Sequence, residues 1–198
     1  WIFVEIPDDQ TRLAAFIRGD VDVIHGVPAA NVDQLLSDQR FNVFPVLAKS
    51  NTIDYITFNC AKPPFNDVRV RQAIAYALDE EALVEFLPHT EPIYGPLPPA
   101  SWGANPVIGE SPYDVEEAKR LLAEAGYPDG FSVTLKIWSN DPVRVSLAEV
   151  VQSMLAQVGI KVDIQILETS TLIETMRKGG AEADWEMASL HWGGGGAL

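Results

Sequence analysis

Three histidines, one cysteine, five tryptophans and several paired carboxylates are the side chains on which any chemistry of this 198-residue chain must rest. His25, His89 and His191 are scattered, and none stands in an HExxH or H-x-H arrangement that would bring two imidazoles to one metal. Gly109-Glu110-Ser111 opens like the elbow that presents a serine nucleophile, but Pro112-Tyr113 follows where a second glycine belongs, and no strand leads into it. Gly193 to Gly196 lack the Lys-Ser/Thr pair of a phosphate-cradling loop and read as a flexible turn. Asp8-Asp9, Glu80-Glu81 and Glu116-Glu117 fall at helix starts, where negative charge opposes the positive end of the macrodipole, so capping accounts for them better than acid–base catalysis. The expectation is a chain without catalytic residues, metal ligands or cofactor.

What remains suits the holding of a solute. Trp138, followed by Ser139 and Asn140, and Trp192 each stand where a strand gives way to a loop. Groups presented to a cleft occupy such places, and an indole offers stacking area there. Core packing is the other role open to both rings. Arg71 flanks the apolar stripe of a helix and either ties to a carboxylate such as Asp79 or faces a ligand. The tie is expected, because a buried guanidinium without a partner is costly. Cys60 has apolar neighbours and reads as an inert buried thiol; as the sole cysteine it excludes an intrachain disulfide and a thiolate metal site.

These side chains need elements to position them. In residues 58–79, FNCAKPPFNDVRVRQAIAYALD, a strand over 55–59 ends, Pro63 and Pro64 hold the chain extended, and Asn66 or Asp67 caps a helix. That helix carries Val70, Ala73, Ile74, Ala77 and Leu78 on one stripe. Before it, short units alternate: strands over 2–6, 21–25 and 41–47, and helices near 10–18, capped by Asp9 and stopped by Gly19, and near 29–37. Seven prolines between 87 and 112 preclude regular helix or central strand. A helix over 115–124 follows, with Asp114 and Glu117 spaced as a capping box. Next come a strand over 132–138, a helix capped by Asp141 with Pro142 first, and a strand over 160–167, a unit long enough for parallel pairing. A short helix over 171–178 and a strand over 184–190 complete an α/β lobe with a mixed sheet.

Composition narrows the class. A hydrophobic fraction of 47% and a charged fraction of 21% are those of a globular chain, and no apolar run approaches the length of a membrane span. A net charge of −14 repels phosphate backbones and argues against nucleic acid as a partner.

The run Asn59, Pro64-Phe65, Asp67-Val68-Arg69-Val70-Arg71, Ala73-Ile74 and Ala77-Leu78-Asp79 resembles the signature of the family 5 extracytoplasmic solute-binding proteins of ABC importers. Weaker echoes follow the same order: Gly19-Asp20-Val21-Asp22-Val23, Gly95-Pro96-Leu97-Pro98-Pro99, Tyr113-Asp114, Ala125-Gly126-Tyr127-Pro128-Asp129-Gly130 and Trp192. The resemblance implies a type II periplasmic-binding-protein lobe over residues 51–198 and part of a first lobe over 1–50, as an excised piece of a longer protein. It further implies a periplasmic or lipid-anchored extracellular location, a membrane permease as partner, and a monomer in the full-length protein. The implied function is capture of a peptide, oligosaccharide or related solute by hinge closure. Trp138, Trp192, Asn59, Trp102, Ser139 and Arg177 are the candidate ligand contacts.

In the peptide binders an Asp three residues after the Trp receives the ligand's α-ammonium, and here that position is Gly195. The loss favours a less charged solute, such as an oligosaccharide or modified peptide. Two rival readings stay open. A sensor module would use the same lobe on a receptor, and a small α/β hydrolase would need His, Ser and carboxylate gathered in space.

Overall fold

The computed structural model describes residues 1–43, 52–87, 90, 92–97, 101, 103–105, 109, 112–138 and 142–193; for Ala29, Thr52, Trp192 and Gly193 it describes the backbone alone. The chain divides into two compact units, Trp1–Ala48 with Leu87–Thr90, and Lys49–Phe86 with Glu91–Leu198.

The first unit holds helices α1 (Asp9–Arg18) and α2 (Ala29–Ser37). Asp8, one residue earlier than expected, caps α1 by accepting from Thr11 N–H, and Gly19 closes it at φ 80°. The strands expected over 2–6 and 21–25 are absent, residues 41–43 are not strand, and 44–47 lie outside the described residues. Apolar, β-prone segments become strands only when a partner accepts their hydrogen bonds. Trp1, Ile2 and Phe3 are instead almost fully exposed. Arg12 organises the segment: its guanidinium donates to the carbonyls of Ile6, His25 and Gly26 and pairs with Asp9 at 2.5 Å.

The second unit is a four-stranded mixed sheet with helices. Its elements are β1 (Thr52–Phe58), α3 (Val68–Ala77), α4 (Glu80–Glu85), α5 (Val115–Glu124), β2 (Ser132–Trp138), α6 (Pro142–Ala156), β3 (Lys161–Leu167), α7 (Thr169–Arg177) and β4 (Met187–Gly193). Strand order is β1-β4-β2-β3. β2 pairs parallel with β3 along its whole length, Ser132 facing Lys161 and Trp138 facing Leu167, while β1 and β4 run antiparallel from Thr52–Gly193 to Phe58–Met187. β4 also pairs parallel with β2 at Leu135–Met187 and Lys136–Ala188. Right-handed crossovers that step outward from β2 to β3 and back to β4 put α6 and α7 on opposite faces. Val133, Leu135 and Ile137 meet α3, α5 and α6 in the main core, whereas the buried Leu172 of α7 lies outside that cluster.

The two-proline turn is built around Phe65, which is fully buried and packs on Phe58 at 5.0 Å and on Phe131 at 6.1 Å. Arg71 is a tie, as expected, but to a carbonyl rather than to Asp79: its Nη1 donates to Phe65 O at 2.6 Å. Asp79 instead caps α4 through Ala82 N–H. Asp114 caps α5 through Glu117 N–H, while the Glu117 carboxylate turns to Arg120, so half of the capping box forms. Cys60 is exposed, not buried, because it lies just past the end of β1 in the turn. The prolines behave as expected where described: no helix or strand occurs among the described residues between 88 and 112.

The last two elements differ from the sequence reading. The helix begins two residues early, and the strand covers Met187–Gly193 rather than 184–190. Trp185 explains the shift: its Nε1–H donates to Lys178 O at 3.1 Å, and its carbonyl is taken by Asn59, which keeps residues 178–186 as a loop.

Two glycines close the turns that feed the parallel pair. A Cβ on Gly130, where φ is 75°, would lie 2.0 Å from the carbonyl oxygen of Gly159. The Gly159 atoms it would meet are all backbone, so they cannot move aside cheaply. Gly130→Ala is expected to destabilise the protein by about 3 kcal/mol, by overpacking and left-handed strain together. Gly126→Ala, where nothing lies within 4 Å, carries only the conformational cost, about 1 kcal/mol. Urea denaturation of the two variants checks the difference.

At the α3 N-terminus, Asp67 accepts from Arg69 N–H at 2.8 Å and pairs with its guanidinium at 2.6 Å. The Arg69 side chain first, then its backbone N–H, lowers the Asp67 pKa to about 2. A depressed folded-state pKa stabilises above the ordinary carboxylate range, near 4, and that contribution is lost as pH falls towards the folded value. Asp67→Asn is therefore expected to lower the denaturation midpoint at pH 7, and the gap from wild type to close between about pH 4 and pH 2. Midpoints measured across that window test the sign.

Candidate functional site at the carboxyl rim of the sheet

β2, β3 and β4 are mutually parallel, and antiparallel β1 enters where β4 ends. One rim of the sheet therefore gathers the carboxyl ends of three strands and the start of the fourth. Open α/β sheets bind ligands outside such ends. Trp138 closes β2 on this rim, and the Trp192 backbone faces Ile53 near the end of β4. Trp102 and Ser139 lie outside the described residues.

A polar cluster missed in the sequence surrounds Trp138. Asp54 of β1 and His191 of β4 are cross-strand partners. Arg144, in the first turn of α6, pairs with Asp54 through Nη1, and its Nη2 lies 3.1 Å from His191 Nδ1. His191 Nδ1 is also 3.2 Å from Asp54 Oδ1. One ring nitrogen either accepts from Arg144 or donates to Asp54, so the cluster has two bonding arrangements distinguished by where a proton sits. The Arg144 Cζ lies 5.0 Å from the Trp138 ring centre, and the His191 ring meets the indole edge-on at 6.2 Å and 79°. Arg144 is 18% exposed, so this stack is partly withdrawn from water. A signal for it existed in the sequence: an arginine in a helix's first turn opposes the macrodipole and calls for an anion nearby.

Asn59 and Arg177 are elsewhere. Asn59 follows the end of β1, and the β1–β4 register puts it at the opposite end of the sheet from Asp54 and His191. It is buried, and both hydrogens of its amide are used, towards Gly180 O at 3.0 Å and Trp185 O at 3.2 Å. Its Oδ1 accepts from Ala61 N–H at 3.2 Å. The side chain ties the exit of β1 to the loop before β4. Arg177, exposed at the end of α7, immediately precedes that loop. The open groove lined by Pro63, Asn66, Asp67, Val68, Ala125 and Tyr127 is also at this end, beside the turns that start α3 and β2.

His25 contributes its carbonyl to Arg12 in the first unit, and His89, Glu110 and Ser111 lie outside the described residues. Among the described residues no group of three or more His, Cys, Asp or Glu side chains is placed to hold a metal ion, and no helix is long and apolar enough to cross a membrane.

Comparison with known proteins gives this arrangement its context. The model of the bacterial extracellular solute-binding proteins, family 5, middle region, matches residues 2–197. The chain belongs to that family. Heme-binding protein A of Haemophilus influenzae is 33% identical over 197 residues, which are 96% of this chain and 35% of that protein. The dipeptide-binding protein of Escherichia coli is 28% identical over 186 residues, 90% of this chain and 34% of that protein. Among solved structures, the periplasmic binding protein DppA of Helicobacter pylori in complex with peptide STSA superposes with a TM-score of 0.79 at 30% identity, covering 94% of this chain and 35% of that one. The oligopeptide-binding protein AppA of Bacillus subtilis, in complex with a nonapeptide, gives 0.74 at 31% identity, covering 94% and 39%. The family 5 chain thus spans about a third of the length of these relatives and has their mixed α/β, type II binding-protein fold.

Asn59→Ala in this family 5 chain removes three hydrogen bonds, the two its amide donates to Gly180 O and Trp185 O and the one its Oδ1 accepts from Ala61 N–H. The expected loss is about 2–4 kcal/mol, with local opening at the β1–β4 end. Chemical denaturation together with hydrogen exchange at Asn59 and Met187 checks both parts.

Proposed function

We propose that this chain is part of the substrate-binding component of an ABC importer, which captures a peptide, oligosaccharide or related small solute and delivers it to a membrane permease. In this reading residues 1–50 belong to a first lobe and residues 51–198 to most of a second, and capture is a reversible hinge closure with no covalent step. The protein works in the periplasm or, lipid-anchored, outside the cell. The observation that carries the reading is the rim itself: in a chain of this family, Trp138 stands at the carboxyl end of a parallel strand, held by Arg144 and His191. Trp138 and Trp192 are the proposed stacking surfaces, with Ser139 and Trp102 as further contacts. In this reading Asn59 is not a ligand contact, which its engaged amide supports. The names of the relatives support solutes as diverse as heme and dipeptides, and Gly195, in the place of the peptide binders' Asp, favours a solute without an α-ammonium anchor.

Calorimetry on the full-length protein tests this with heme, glutathione, the dipeptide Met-Leu, peptide STSA and maltotriose as probes. Binding of at least one at micromolar Kd or tighter is expected, corresponding to about −8 kcal/mol. Trp138→Ala is expected to weaken that probe about tenfold or more, and Arg177→Ala to leave it within about twofold. Absence of binding by all five, or an unchanged Kd in Trp138→Ala, would overturn the assignment.

A further inference from the structure

A cation in the first turn of a helix works against the macrodipole. Arg144 occupies such a position in α6 and is nevertheless drawn into contact with three other elements: Asp54 on β1, His191 on β4 and Trp138 at the end of β2. Helix stability does not explain this placement, since a neutral or acidic residue would suit the α6 N-terminus better. The geometry does. Asp54 and His191 face each other in register, so one guanidinium grips both strands at the same rung. Its carbon lies over the indole, and the His191 ring stands nearly perpendicular to the indole at 6.2 Å, so two groups hold the ring.

We propose that Arg144 is a positioning residue: it locks the Trp138 indole at the rim and joins that ring mechanically to the β1–β4 pair. Resting on the solute-binding reading above, this makes the ring a pre-set stacking platform for the planar or apolar face of a solute. Pre-setting it reduces the side-chain entropy lost on binding. It also gives the platform a direct link to β1, the first strand after the boundary between the two compact units. A solute that shifts the indole then acts on the guanidinium, and through it on Asp54 and His191.

The test needs no solute, so its failure is distinguishable from failure of the solute-binding reading. Full-length protein labelled with 5-fluorotryptophan gives a fluorine resonance for Trp138, assigned by its loss in Trp138→Phe. In Arg144→Gln the resonance is expected to move towards the position of the free amino acid, and backbone amide exchange at Tyr55 and Leu190 to speed up. Arg144→Lys, which keeps the cation but not the fork, is expected to give an intermediate position. Asp54→Asn and His191→Gln each weaken one of the contacts that hold Arg144 and are expected to move the resonance in the same direction as Arg144→Gln, which keeps the proposal testable if Arg144→Gln fails to fold. A Trp138 resonance unmoved in these variants, even with a lowered denaturation midpoint, would reduce Arg144 to a structural tie and overturn the proposal. Unchanged exchange at Tyr55 and Leu190 would overturn the link to the strands.

Discussion

The second unit depends on the insertion of β4 between two strands that precede it in the chain. β4 satisfies β1 on one side by a seven-residue antiparallel ladder and β2 on the other by a short parallel one. Without it, β1 would have no partner in the sheet, and its backbone groups would need water. The parallel side is reinforced where the ladder has not begun: the Glu186 carboxylate accepts from Thr134 N–H at 3.2 Å. Asn59 secures the antiparallel side from its own end, by holding the loop that leads into β4. The register set there carries through to the opposite rim, where it decides that Asp54 meets His191.

The rim is correspondingly a composite. Its cluster draws on β1, β2, α6 and β4, which lie far apart in sequence. Opposed charges at 18% and 30% side-chain exposure form a pair that is neither fully solvated nor fully buried, so it orders the site more than it stabilises the fold. An indole with a cation over one face has that face occupied and loses rotational freedom.

Much of this was legible in the sequence, and the exceptions have physical causes. The helical stripe of α3, the caps at Asp67 and Asp114, and the β2–α6–β3 unit follow from local periodicity and capping chemistry, which act over a few residues. The run from Asn59 to Asp79 pointed to the family. The strands expected over 2–6 and 21–25 failed because strand formation is decided by a partner rather than by the segment. The start of β4 was misplaced because Trp185 reads as a strand residue, while its indole N–H is spent on Lys178 O. Cys60 looked buried by its neighbours and is exposed by the turn. Asp54, Arg144 and His191 carried no common motif, since strand register brings Asp54 to His191 and the start of helix α6 brings Arg144 to both.

The same topology imposes an order in time. β1 is synthesised roughly 130 residues before the strand that completes it. At about 5–20 residues per second it waits on the order of ten seconds, with Ile56 and Phe58 lacking the neighbours that later partly bury them. Non-local pairing of this kind slows folding. A sheet that cannot close until its last strand arrives leaves its earlier strands open and threadable until then.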